Sequence, residues 1–225
     1  MTTCACKEAR HACRLVVLTG GPGAGKTAVL EVVRKRFCEH IAVLPESATI
    51  LFGGGFPRRS TDSARRAGQR AIFHVQRELE RMVVDEAKAA VVLCDRGTLD
   101  GLVYWPGEPV TFERDLGTTR EAELARYASV IHLRTPHAGL GYNHRNPVRT
   151  ESAAQAVAAD ARTFDAWAGH PRRFVVESCD DFLDKLARVI ALIRDEVPAC
   201  CRAHTVSEIG EAARLDGVAL DRAAP

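Results

Sequence analysis

An α/β fold, a five-stranded parallel sheet sandwiched by helices, follows from three features of the sequence. Five short apolar runs, at 14–19, 41–45, 90–94, 129–133 and 173–177, each lead into a helical or loop segment. That alternation builds a parallel sheet covered on both faces. The first run, Leu15-Val16-Val17-Leu18-Thr19, passes directly into Gly20-Gly21-Pro22-Gly23-Ala24-Gly25-Lys26-Thr27, a complete Walker A loop. The third run ends on Asp95, the Walker B arrangement that sets a carboxylate at the carboxyl edge of the sheet. Together these define the P-loop NTPase class.

The elements follow in chain order. After the loop, a helix starting near Lys26 carries Val29, Leu30, Val33 and Phe37 on one face. The second run closes on Pro45-Glu46-Ser47, and Gly53-Gly54-Gly55-Phe56-Pro57 behind it reads as a flexible stretch beside the phosphate site. A long helix over about 64–89 places Ile72, Val75, Leu79 and Met82 on its apolar face. After the fourth run, residues 135–150 combine Pro136, Gly139, Gly141 and Pro147 with Arg145 and Arg149, the composition of a lid segment. Helices over about 151–168 and 180–197 flank the last run, the second showing Phe182, Leu183, Leu186, Ile190 and Ile193. Pro198 ends that pattern. This divides the chain into an extension over 1–13, one P-loop domain over 14–197 and a tail over 198–225.

Composition narrows the class of protein. A chain of 225 residues, 46% hydrophobic and 27% charged, suffices for one sizeable core. No run of 18 apolar residues and no apolar region of a secretory signal occurs, which places the protein in the cytoplasm with no membrane partner. The net charge of +2 is too small for bulk nucleic-acid binding, although Arg58, Arg59, Arg65 and Arg66 form a basic cluster suited to an anionic substrate or to a solvated helix face. The eight cysteines are expected as reduced thiols in that compartment. Cys4, Cys6, His11 and Cys13 offer four soft donors, but Cys-x-Cys is tighter than the usual zinc spacing. Nothing in the sequence sets an oligomeric state.

The chemistry follows from residue types. Backbone N–H groups of Gly20, Gly21, Pro22–Gly25 and Lys26 cradle phosphate at a helix N-terminus, with proline contributing shape rather than a donor. Lys26 reaches the β- and γ-phosphates of ATP, and the Thr27 hydroxyl with Asp95 holds Mg2+. Asp95-Arg96-Gly97-Thr98-Leu99-Asp100 adds a guanidinium beside the carboxylate and a second carboxylate five residues on. Arg145 and Arg149, four apart, share one face if their segment turns helical, and then clamp phosphates. Tyr104 and Trp105 read as packing residues, Gln76 as a surface glutamine.

The set Gly20–Thr27, Pro45-Glu46-Ser47, Gln69-x-x-Ile72-x-x-x-Gln76, Asp95-Arg96-Gly97-x-x-Asp100 and Arg149-Thr150-Glu151 resembles a family of bacterial P-loop proteins described as AAA-domain ATPases. That family is similar to nucleoside and nucleotide kinases, including the nicotinamide-riboside kinase type. The resemblance covers roughly residues 14–195 and implies ATP and Mg2+ as cofactors and a small-molecule acceptor as partner. By the same resemblance Glu46 is the carboxylate that accepts the acceptor hydroxyl's proton, Arg96 sits at the transferring phosphate, and Lys26, Asp95 and Arg149 complete the catalytic set. Gly97 stands where such kinases often carry serine or a bulkier residue. Two other functions fit the same motifs: an NTPase that drives a switch, with Glu46 orienting water, and a nucleotide sensor without turnover. A polynucleotide 5′ end is a further acceptor class.

Overall fold

The structure, a computed structural model, describes residues 11–136, 153–179, 181–202 and the strand residues 219 and 220. The elements in chain order are β1 (Arg14–Thr19), α1 (Lys26–Arg36), β2 (Ile41–Leu44), α2 (Ser47–Gly53), α3 (Asp62–Glu86), β3 (Val91–Asp95) and a 3-10 segment over Thr98–Tyr104. There follow α4 (Pro109–Leu116), α5 (Arg120–Leu124), β4 (Ser129–Leu133), α6 (Ala153–Ala166), β5 (Arg173–Val176), α7 (Phe182–Glu196), α8 (Ala199–Arg202) and β6 (Ala219–Leu220).

Five strands pair in parallel in the order β2-β3-β1-β4-β5, so the fold is the expected α/β P-loop architecture. The two-residue β6 adds an antiparallel edge beside β5, which the tail of the sequence did not announce. β1 lies at the centre, its register matching Leu18 with Asp95 on one side and Thr19 with His132 on the other. Central strands buried on both faces read as unbroken apolar runs, and the period of two sorts their side chains. Val16, Leu18, Leu93 and Ile131 pack against Val29, Leu30 and Val33 of α1 and Val189, Ile190 and Ile193 of α7. Leu15, Val17, Val92, Cys94 and Val130 face the other layer, with Leu99, Tyr127 and Trp167.

Local chemistry sets the helix ends. Thr61 caps α3 by accepting from the Ala64 N–H, and the Asp181 carboxylate caps α7 by accepting from the Leu183 N–H at 2.7 Å. Pro109 occupies the first turn of α4, where its missing N–H costs nothing. Arg34, Lys35 and Arg36 close α1 at the negative end of its dipole, while its first turn holds no acid.

Three sequence expectations need correction. Met82 does not lie on a buried apolar face of α3: it is 49% exposed, and the buried line runs through Gly68, Phe73, Gln76 and Glu80. The helix is rotated from the apolar count because a buried polar network takes up Gln76 and Glu80. Phe182 and Leu183 of α7 are likewise exposed, the buried stripe beginning at Lys185 and Leu186. The glycine stretch is not an open loop at its start, since Gly53 ends α2 and the N–H groups of Gly54 and Phe56 donate back to Ile50 and Leu51.

Candidate functional site

The loop between β1 and α1 is shaped by what surrounds it. Gly20 has φ 134°, and a Cβ there would stand 2.1 Å from the Leu133 carbonyl oxygen of the adjacent strand end, so only glycine fits. Gly25, φ 98°, is the N-cap of α1 without a side-chain cap, and its vacant Cβ position lies 2.6 Å from the Phe182 ring. The α1 N-terminus therefore presents unsatisfied N–H groups, the positive end of a dipole and no competing carboxylate, which is what a phosphate group requires. Thr27 is exposed on its first turn.

The loop is held from behind by residues with no motif of their own. The Gly21 N–H donates to Asp160 of α6 at 2.9 Å. Asp160 also meets His132 Nε2 at 3.0 Å and Arg134 Nη1 at 3.2 Å. Although burial opposes it, these contacts hold the Asp160 carboxyl below its ordinary pKa. Thr135 Oγ1 donates to the Pro22 carbonyl at 3.2 Å. Arg134 is thus occupied behind the loop. Of the expected lid over 135–150, residues 137–150, with Arg145 and Arg149, lie outside the described residues.

In front of the loop, Lys26 Nζ donates to the carbonyls of Gly20 at 2.8 Å and Gly21 at 3.0 Å. Burial, aided by the Arg96 charge, lowers its pKa from 10.5 to about 7, against the pull of Asp95, Asp100 and Glu46. Asp95 ends β3, and burial raises its carboxyl from 3.8 to about 6, Lys26 opposing and Glu46 reinforcing the shift. Glu46 precedes α2. Its Oε1 accepts from Arg96 Nε at 2.7 Å and its Oε2 from Thr49 Oγ1 at 2.7 Å. Burial pushes the Glu46 pKa up, but Arg96, Thr49 and Lys26 together hold it below the usual range. Lys26, Glu46, Asp95 and Arg96 therefore share one cleft at the carboxyl edges of β1, β2 and β3.

Arg96 is bent into place. Its φ of 72° lies in the left-handed region, rare for a side-chain-bearing residue and characteristic of sites where surrounding contacts override local preference. Those contacts are Glu46, Asp100 Oδ1 at 3.1 Å from Nη1 and the Gly20 carbonyl. Asp100, 4% exposed, is the hub. It also accepts from Thr19 Oγ1 at 2.5 Å, the Gly97 N–H at 3.0 Å and Trp167 Nε1 at 3.1 Å. The sequence offered Asp100 only as a second carboxylate after Asp95, without its role; Asp160 and Trp167 carry no local signal, their partners lying 139 and 67 residues away.

Gly97 has a steric reason. A Cβ there would lie 2.6 and 2.7 Å from Trp167 ring atoms and 2.9 Å from Val17 Cγ2. The residue therefore follows from Trp167 and Val17 packing against the Gly97 backbone. Gly97→Ala should cost about 1–3 kcal/mol by overpacking. Its urea midpoint should fall at constant slope, and a midpoint equal to that of the wild type would refute the packing argument.

Gln76 is not a surface glutamine. It is 3% exposed, accepts from Ser47 Oγ at 2.6 Å and donates to Glu80 Oε1 at 2.7 Å. Glu80 further accepts from Tyr127 OH at 2.8 Å and pairs with Arg126; the Thr98 N–H donates to Tyr127 at 3.0 Å. This network ties Ser47, next to Glu46, to Thr98, two residues from Arg96, and so fixes the two sides of the cleft relative to each other. In the basic cluster, Arg66 stacks over Trp105 and Arg58 over Phe52, while Arg65 donates to the Tyr104 carbonyl. Trp105 packs in a buried aromatic group with Phe73 and Phe112, as expected.

Comparison with known proteins fits this geometry. A family model described as an AAA domain matches residues 15–183. No curated protein matches the chain. Among solved structures, the NadR protein in complex with NAD and AMP-PNP is similar at TM-score 0.57 and 16% identity, over 89% of this chain and 52% of that one. Thymidylate kinase from Ehrlichia chaffeensis is similar at TM-score 0.51 and 12% identity, over 81% of this chain and 99% of that one. At these identities the likeness is one of fold, and the chain spans about half the length of the NadR chain. Among the described residues, no helix is long and apolar enough to cross a membrane.

Proposed function

Since the chain belongs to the AAA domain family over residues 15–183, we propose that it is an ATP-dependent phosphotransferase acting on a small hydroxyl-bearing acceptor of nucleoside or nucleotide type. The observation that carries this reading is the Glu46–Arg96 pair at 2.7 Å in the cleft with Lys26. A hydrolase needs a positioned water. A carboxylate pinned to a guanidinium across from the phosphate loop is better suited to hold a hydroxyl in line.

The residues divide the work. Backbone N–H groups of the loop, apart from that of Gly21, which Asp160 takes, and of the α1 N-terminus bind phosphate oxygens. Lys26 leaves its two carbonyls to reach the β- and γ-phosphates, and Arg96 spreads charge over the group in transit. Thr27 and Asp95 would hold Mg2+, which neutralises phosphate charge when bound; an exposed hydroxyl and a carboxylate fit that hard, oxygen-seeking ion. The acceptor oxygen forms its bond to the γ-phosphorus as the bond to the β-bridging oxygen breaks, leaving ADP. Glu46 orients the hydroxyl and takes its proton. Its lowered pKa is compatible with that role, because in a loose transition state the proton leaves late.

The test is acceptor dependence. ADP release measured with nucleosides, nucleotides, vitamins and oligonucleotides should rise strongly with one class; equal release without acceptor favours a hydrolase, and none favours a sensor. The titrations sharpen this. Asp95 must be ionised, which favours pH above about 6, and Lys26 charged, which favours pH below about 7. The Mg-ATP kcat/KM should therefore trace a narrow bell between those values, the two limbs belonging to the coupled pair. A profile flat from pH 5.5 to 8.5 would contradict it.

A further inference from the structure

A second cluster of reactive side chains lies away from the cleft. His11 stands three residues before β1, His40 immediately before β2, and Cys200 and Cys201 lie in α8 beyond the end of α7. The phosphate loop leaves the carboxyl end of β1, so this cluster sits at the opposite, amino edge of the sheet. Cys201 is fully buried and His40 is 4% exposed. Cys38, Val197 and Cys201 form an apolar wall with Phe37 and Ile41. His11 and His40 meet edge to face, ring centroids 5.2 Å apart.

Three donor-to-donor distances match the edges of a coordination tetrahedron. Cys201 Sγ lies 3.4 Å from His40 Nδ1, Cys200 Sγ 3.6 Å from His11 Nε2, and the two sulfurs 3.8 Å apart. For Zn–S of about 2.3 Å and Zn–N of about 2.0–2.1 Å, a tetrahedron has edges of about 3.5 Å from sulfur to nitrogen and about 3.8 Å from sulfur to sulfur. Donor atoms of His11, His40 and Cys201 all fall within 4.8 Å of one another; Cys200, exposed, stands outside that group and touches it through His11 and Cys201. Among the described residues no disulfide joins Cys200 or Cys201.

We propose that His11, His40 and Cys201, with the exposed Cys200 drawn in as fourth donor, bind one zinc ion as a structural site that fastens the segment before β1 and helix α8 to the base of the domain. Two thiolates and two neutral imidazoles leave the bound ion with no net charge, which suits its half-buried, apolar surroundings. Binding releases the two thiol protons to solvent. Donors from three separate parts of the chain converge only in the folded state, so the binding energy adds to folding stability. The grouping differs from that of Cys4, Cys6, His11 and Cys13: Cys13 has no place in the cluster, and Cys4 and Cys6 lie outside the described residues.

The protein, residues 1–225, purified under reductant and stripped with a chelator, is titrated anaerobically with Co2+. The expected result is about one equivalent bound, with sulfur-to-cobalt charge transfer and the intense visible bands of tetrahedral thiolate ligation, displaced by Zn2+. Zn2+ should also raise the Tm of the stripped protein. Cys201→Ser and His40→Ala should abolish the bands, whereas the triple variant Cys4→Ser, Cys6→Ser, Cys13→Ser should keep them. If Cys201→Ser does not fold, His11→Ala on the half-exposed strand approach supplies the same test. The proposal is overturned by octahedral or absent cobalt bands in the wild type, by bands that persist in His11→Ala, or by their loss in the triple variant.

Discussion

Lys26→Ala should abolish turnover, by on the order of 10³-fold or more, in a protein that still folds. The side chain makes its hydrogen bonds to the Gly20 and Gly21 carbonyls of its own loop, so removal leaves those carbonyls to water and no cavity in the core. The urea midpoint should stay near that of the wild type while the stabilisation conferred by Mg-ATP shrinks, because a ligand stabilises only the state that binds it. A folded variant with unchanged kcat would remove Lys26 from the chemistry.

Glu46→Gln should lower acceptor phosphorylation by about 10²-fold or more, since the amide keeps size and hydrogen bonding but cannot take a proton. Mg-ATP affinity should survive, as the carboxylate binds Arg96 and Thr49 rather than the loop backbone. The substitution also weakens the hold on Arg96, which Asp100 still retains at 3.1 Å. The two effects separate kinetically. Loss of proton acceptance lowers acceptor transfer alone, whereas a misplaced Arg96 lowers the slow acceptor-independent hydrolysis in parallel. A variant with full acceptor kcat would end the role assigned to Glu46.

Patterns of apolar residues carried the sheet. Runs such as Val91–Cys94 can only be buried on both faces, and the glycines of the phosphate loop bracket a strand and a helix that the motif demands. Asp95 was readable as the residue that ends β3, because a carboxylate at the end of such a run sits at the carboxyl edge of the sheet. What escaped was polar and distant. Gln76 and Glu80 look like surface residues on a long charged helix, and only Ser47, Tyr127 and Arg126, from elements far along the chain, make their burial affordable. Asp160 lies in an alanine-rich helix with nothing beside it to suggest the Gly21 N–H as its partner. Arg96 was legible as a neighbour of the carboxylate but not its left-handed backbone, which depends on Glu46 and Asp100 together. Hydrophobic periodicity reports burial of apolar surface, and is silent on polar groups buried in pairs.

The most direct test of the phosphotransferase reading follows the γ-phosphoryl group itself. ATP labelled at that position is incubated with stoichiometric protein, Mg2+ and an extract of small metabolites, and the products are separated before the second turnover. The account predicts label in an organic acceptor, lost in Lys26→Ala and strongly reduced in Glu46→Gln. Label recovered only as inorganic phosphate, at a rate that no acceptor changes, would contradict it.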